Sequence, residues 1–397
     1  MDRPPAWIEP RAAYIHIPFC AHHCGYCDFA VSVGREDLIP AYVDALIAEM
    51  ARLETPRPVD TIFIGGGTPT HLPDVQFQRL LTAVCHWFPL NDGGEFSIES
   101  NPESLNPEKC RIMAGAGVTR VSVGVQSFQP RLLKALDRLH RYEQIPAALD
   151  AIRKVGLFCS LDLIFGIPSA YLSDWQLDLT AALAHEPHHV STYGLTYEKG
   201  TPLWKDRERG RLLSVTEDAE LEMYEFAIDR LAEAGFEQYE ISNFARPGHR
   251  CRHNEHYWAN NGYFGFGVGA ARYVNYCREL NVRNTADYIR KVTAGESVVF
   301  QSEVLEPLDR AYETMAVQLR RTEGIRFDSF SAQTEFEFEP LVWDRLPALL
   351  DQGLLQRGPN SLSLTRAGRR LADGIVEDLL KAKPTPASRR RLPLRGA

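Results

Sequence analysis

No run of about 18 uninterrupted apolar residues, the least that would span a bilayer as a helix, occurs in the 397 residues. The opening Met1-Asp2-Arg3-Pro4-Pro5 lacks the basic stretch and apolar stretch of a secretory leader. Together these absences predict a cytoplasmic protein that does not cross the membrane, with peripheral contact left open. Cysteine is scarce as well: eight residues cannot staple a chain of this length, and three of them crowd into one loop, so a reducing compartment is expected. Positive charge is in deficit, with 44 Lys and Arg against 52 Asp and Glu, which excludes the basic footprint of a general nucleic-acid binder. One local exception is the tail from Lys381, with Lys383, Arg389, Arg390, Arg391 and Arg395 and no acid. Its prolines oppose helix, and it reads as a disordered solubilising tail. The rest, 44% hydrophobic and 24% charged, is the composition of an ordinary soluble protein with one large domain and smaller ones.

Three thiols stand behind an apolar strand in Tyr14-Ile15-His16-Ile17-Pro18-Phe19-Cys20-Ala21-His22-His23-Cys24-Gly25-Tyr26-Cys27. Thiolates so spaced suit zinc, copper(I) or an iron–sulfur cluster. A structural zinc wants a fourth protein ligand, and no fourth cysteine follows nearby. A 4Fe–4S cluster held by three cysteines keeps one iron free for an outside ligand. From the loop alone a zinc knuckle, a Cys24-x-x-Cys27 redox pair or three unrelated thiols stay open.

Beyond the loop, helical periodicity over 40–54, 74–88, 144–155 and about 175–184, with a capped helix start at Asn106-Pro107, alternates with short apolar runs at 61–64, 95–99, 120–125, 158–164 and 189–195. With Tyr14 to Ile17 this makes six strands, and the alternation implies a parallel sheet with helical crossovers. In such sheets the chemistry gathers at the carboxyl ends of the strands. There stand the glycine turn Gly65-Gly66-Gly67-Thr68, whose backbone a ligand can approach closely, and Glu99, Gln126, Arg138 and Asp162. An arginine suits a carboxylate, and an aspartate suits a ribose hydroxyl. The pattern changes after Leu195: a helix over 217–234, a polar aromatic segment, and the glycine run 262–270, read as close backbone packing and not as a dinucleotide loop. From about Pro307, helices over 309–319, 341–350 and 366–380 with a hairpin at 354–364 suggest a winged-helix-like unit.

The spacing C-x3-C-x2-C with Tyr26 before the last cysteine resembles the radical S-adenosylmethionine (SAM) superfamily. The resemblance implies an α/β fold with a partial (β/α)6 barrel, and a cluster whose open iron binds SAM and whose electron cleaves it. The segments YIHIPFC, GGGTPT, SIESNP, GVQSF, LDLIFGIP and HNEHYW narrow the likeness to the oxygen-independent coproporphyrinogen III oxidase-like family, which contains the oxidase and a haem-chaperone sister type. It implies that Cys20, Cys24 and Cys27 hold a 4Fe–4S cluster, and that Tyr14, Gly66, Gly67, Thr68, Glu99, Gln126, Arg138 and Asp162 contact SAM. Tyr26 stands where the oxidase has an aromatic residue near a second SAM. The oxidase continues its loop to a fourth cysteine two residues on, where this chain has Phe29. His253-Asn254-Glu255-His256-Tyr257-Trp258 fits the H-N-x-x-Y-W motif of the chaperone type, with His253 as the implied haem ligand.

The sequence thus predicts a haem chaperone that binds haem, a 4Fe–4S cluster and SAM and delivers haem to acceptor proteins such as respiratory enzymes, membrane-associated ones included. The alternative is the oxidase itself, decarboxylating coproporphyrinogen III; a partner-docking regulator is a third class. An external electron donor is implied and a homodimer is left open. The expected division is a tail at 1–12, the barrel at 13–215, an extension at 216–300, an α+β winged-helix-like domain at 301–380 and the basic tail at 381–397.

Overall fold

The computed structural model describes residues 4–385 and Ser388. The arginines expected in a disordered tail lie outside the described residues. Six parallel strands follow one another in sequence order: β1 (Ala12–Ile17), β2 (Val59–Gly66), β3 (Leu90–Ser100), β4 (Arg120–Gln126), β5 (Phe158–Phe165) and β6 (His189–Gly194). Helices Ile39–Ala51, Asp74–Trp87, Pro107–Gly115, Gln144–Lys154 and Leu172–Ala184 cross between them. The third of these starts where the sequence expects, with the Asn106 side chain accepting from Lys109 N at 2.8 Å.

Strand alternation sorts the residues of this sheet into two sets. Val121, Val123, Val125, Leu161, Leu163 and Val190 turn outward into the core shared with the helices. Their neighbours Ser122, Ser160, Asp162, His189 and Ser191 turn inward, so the barrel interior is polar. The ring stays open between β1 and β6. The outer edge of β6 takes β8 (Asn243–Ala245), which pairs with β7 (Glu237–Gln238), and β1 takes β9 (Phe264–Phe266).

β9 is the glycine run. The expected close packing is there, and it takes the form of an added parallel strand in register Tyr14↔Gly265. A Cβ at Gly265 would overlap the Ala271 carbonyl, so only glycine admits the chain at that point. The extension also carries an antiparallel sheet of Ala271–Val274, Cys277–Asn281 and Val299–Val304.

The C-terminal unit has its own core, built on Met315, Phe330, Phe338, Leu341, Leu362 and Leu379. The hairpin Leu355–Gly358 and Ser361–Leu364 forms with Ile325–Arg326 as a third strand. The helix expected over 341–350 is two short ones, Phe338–Val342 and Leu346–Asp351, and Phe327–Thr334 is a helix that periodicity did not reveal.

Candidate functional site

The cysteine loop leaves β1 and is sewn back onto it. Gly67 N donates to Ile17 O at 2.7 Å, Thr68 N to Phe19 O at 2.8 Å, and Ser32 N to Pro18 O at 2.7 Å. A pocket of about 390 Å³ opens at the carboxyl ends of the strands, and Cys20, Cys24, Cys27, Gly66, Glu99, Arg138 and Asp162 line it. Burial pushes the Cys20 thiol up to about 12 and the Cys27 thiol up to about 11. A metal that binds such thiols must first displace their protons. Among the described residues no three His, Cys, Asp or Glu side chains converge as the ligands of one ion would. The three thiols line a single pocket, and soft ligands of this kind suit an iron–sulfur cluster.

Two acids stand in the lining. Gly66, at φ 103°, turns its N–H onto Glu99 Oε2 at 2.8 Å. Burial, reinforced by Asp162, pushes the Glu99 carboxyl up to about 7. Asp162 accepts from Ser122 Oγ at 3.0 Å and Ser191 Oγ at 2.8 Å, yet burial still pushes it up to about 6. Such carboxyls suit an ammonium group or ribose hydroxyls. The Arg138 guanidinium lines the pocket, held by Asn101 Oδ1 and Gly124 O at 2.7 Å each, and its charge suits a ligand carboxylate. Gln126 reaches the pocket because β4 slips register between Gly124 and Gln126, leaving Gln126 at φ 63°. Tyr26 stands beside Arg138 in the same wall, and burial raises its phenol well above the usual range. Acceptors for an amino group and ribose hydroxyls, and a cation for a carboxylate, are therefore present, and they fit SAM on a cluster.

Two sequence-expected residues lie apart from this pocket. Tyr14 bonds His16 Nδ1 through its hydroxyl at 3.1 Å and lines a second cavity of about 220 Å³ inside the barrel. Glu99, Ser122, Asp162 and Tyr193 wall both cavities. His253 lines the second one as well. Its helix, Arg252–Trp258, plugs the barrel at the amino ends of the strands, and its ring is 1% exposed. Nδ1 meets Thr61 Oγ1 at 2.9 Å, the ring stacks on Phe63 with centroids 5.2 Å apart, and Nε2 is buried without a partner. Burial pushes the imidazole down to about 3.

Sequence reasoning missed Asn101, Ser122, Ser191 and Tyr193 in these walls, and Asp178, which holds the GVQSF turn through Ser127 Oγ at 2.6 Å and Phe128 N at 2.9 Å. The inward parity of β4, β5 and β6 was the one sequence signal that could have found Ser122 and Ser191.

The radical SAM superfamily pattern matches residues 14–179, and the HemN C-terminal domain pattern matches 305–371. Coproporphyrinogen III oxidase (HemN) of Escherichia coli, a radical SAM enzyme, superposes with a TM-score of 0.82 at 23% identity, over 94% of this chain and 91% of that one. The chain therefore has the radical SAM fold. Proteins named heme chaperone HemW are similar over nearly the whole length: 35% identical in Bacillus subtilis (92% of this chain, 98% of the relative), 34% in Lactococcus lactis (94% and 98%) and 32% in Escherichia coli (93% and 98%). The chain belongs to the HemW haem chaperone family. Among the described residues no helix is long and apolar enough to cross a membrane.

Proposed function

We propose that this protein is a haem chaperone that holds a 4Fe–4S cluster and SAM at the barrel mouth and passes haem to acceptor proteins, respiratory enzymes among them. The observation that carries the reading is the similarity over more than nine-tenths of the chain to proteins named heme chaperone HemW. Two features of the site support it over the oxidase. Phe29, at the position of the oxidase's fourth cysteine, stands 57% exposed on the pocket rim. Behind the cofactor pocket the barrel offers only about 220 Å³. That is below the ~300–1,000 Å³ of ordinary ligand pockets, which favours carriage of haem outside the barrel interior.

In this reading Cys20, Cys24 and Cys27 hold the cluster, which when bound supplies one-electron chemistry at the SAM sulfonium. Glu99 and the turned Gly66 receive the amino end of SAM, the Arg138 guanidinium its carboxylate, and Asp162 its ribose. An external one-electron donor completes the requirements. His253 serves as haem ligand only with its helix displaced, because the packed ring faces the small cavity.

The test is anaerobic reconstitution of the full chain with iron and sulfide, followed by parallel assays for haem binding by Soret absorption and for coproporphyrinogen decarboxylation. Haem uptake without decarboxylation is expected; turnover to protoporphyrinogen overturns the chaperone reading. Cys24→Ser should bleach the cluster's visible absorption, and a retained 4Fe–4S signal refutes the ligand set. His253→Ala should weaken haem binding and spare the cluster, whereas unchanged haem affinity removes it as a ligand.

A further inference from the structure

Asn101 follows β3 in Glu99-Ser100-Asn101-Pro102, and its amide stands between two of the cluster cysteines. On one side Nδ2 donates to Thr68 Oγ1 at 2.8 Å, and that hydroxyl donates in turn to Cys20 Sγ at 3.4 Å. On the other side Oδ1 accepts from Arg138 Nη2 at 2.7 Å, while Nη1 of the same guanidinium donates to Cys24 Sγ at 3.4 Å. Arg138 Nη2 is also held by Gly124 O at 2.7 Å. The amide cannot be turned round, because a guanidinium offers no acceptor. Gly124 keeps the space clear: a Cβ there would stand 2.9 Å from Gln126 Nε2 and 3.0 Å from Asn101 Oδ1.

We propose that Asn101 is a positioning residue that directs two hydrogen bonds onto the cluster sulfurs, through Thr68 to Cys20 and through Arg138 to Cys24, and so raises the reduction potential of the loaded cluster. Sulfurs that ligate iron carry negative charge, and that charge grows when the cluster gains an electron. Donors aimed at sulfur favour the reduced form, and they are among the levers by which a protein sets such potentials. The direction of the Asn101–Thr68 bond is what matters. Because Nδ2 donates, the Thr68 oxygen is engaged as acceptor and its single proton is left for Cys20. An aspartate of the same shape would accept that proton and draw it away from the sulfur, while adding a negative charge beside the cluster.

The inference rests on the cluster assignment above, and the experiment separates the two. Full-length Asn101→Asp, Thr68→Val and Thr68→Ser proteins are reconstituted anaerobically and titrated with dithionite, each cluster taking up one electron, while the EPR signal of the reduced cluster is followed. Asn101→Asp and Thr68→Val should load iron as the parent does and shift the midpoint potential to more negative values; Thr68→Ser should stay at the parent value. Unchanged midpoints in both, at parental iron content, overturn the relay. If Asn101→Asp assembles no cluster, the Thr68→Val midpoint decides alone. A parent protein that takes up no 4Fe–4S cluster overturns the cluster assignment itself, and the relay with it.

Discussion

Glu99 and Asp162 are two half-buried carboxyls lining one pocket, and desolvation raises both above the usual carboxylate range. Glu99 changes charge at about 7 in the ligand-free protein. Its folded-state value lies above the ordinary one, so the stability linked to its proton is present at low pH and lost as pH rises through about 7. Binding an ammonium group runs the other way, since it needs the carboxylate. SAM affinity for the reconstituted protein should therefore fall on acidification below about 7, approaching tenfold per pH unit. Calorimetry in buffers of different ionisation enthalpy should show proton release on binding. Glu99→Gln should remove the part of the proton release that centres near 7, leaving that of Asp162 near 6, and bind weakly at every pH; a Glu99→Gln protein that keeps the parent's full pH dependence would remove Glu99 from this role.

At the scale of elements, the helix Arg252–Trp258 is fastened by one acid. Glu95 accepts from Arg252 N at 3.1 Å and His253 N at 3.2 Å, and it pairs with the buried Arg120 guanidinium at 3.2 Å. Glu95→Gln leaves that guanidinium buried without its counter-charge. Urea unfolding should show a loss of about 3–5 kcal/mol, and hydrogen exchange at Arg252 and His253 should quicken. An unchanged unfolding midpoint would show that this pair does not fasten the helix. Much of this scale is legible in the sequence. Six strands and their crossover helices declare themselves by period, and Asn106-Pro107 marks a helix start that the structure keeps. What escapes depends on a distant partner. Phe264–Phe266 is too short to show a period and becomes a strand only against β1. The turn that aims Gln126 arises from the register of the neighbouring strand β5. Asn101 sits in a motif that reads equally well as a turn, and only Thr68 and Arg138, brought in by other strands, show what its amide does.

The whole molecule is joined through the far end of the same helix. Gln333 Nε2 donates to Asn260 O at 2.8 Å, and Gln318 Nε2 to Ala259 O at 3.0 Å, so the C-terminal unit clasps the segment that leaves Trp258. A second contact is ionic: Arg366 and Arg370 meet Glu225, and Arg366 meets Asp229. Arg366 is 42% exposed, so Arg366→Ala should change stability by no more than about 1 kcal/mol, less in salt. Gln333→Leu strands the buried Asn260 carbonyl and should cost about 1–3 kcal/mol. Thermal unfolding of both variants at two salt concentrations checks the ranking; a larger loss for Arg366→Ala would place the joint in the ion pairs.

The strand that the glycine run adds to β1 also fixes an order of events during synthesis. β1 and the cysteine loop leave the ribosome early, yet Ala13 pairs with Phe264, Ser32 meets Thr285 at 2.8 Å, and Arg283 holds Asp28 O. At roughly 5–20 residues per second, the loop waits on the order of tens of seconds for its flank. A nascent chain arrested before Gly262 should thus react with an alkylating reagent at its three thiols faster than the released full-length chain does. On the proposed function, iron and sulfide would reach the three thiols through the mouth of a finished barrel, which would make cluster loading a late step in the life of the chain.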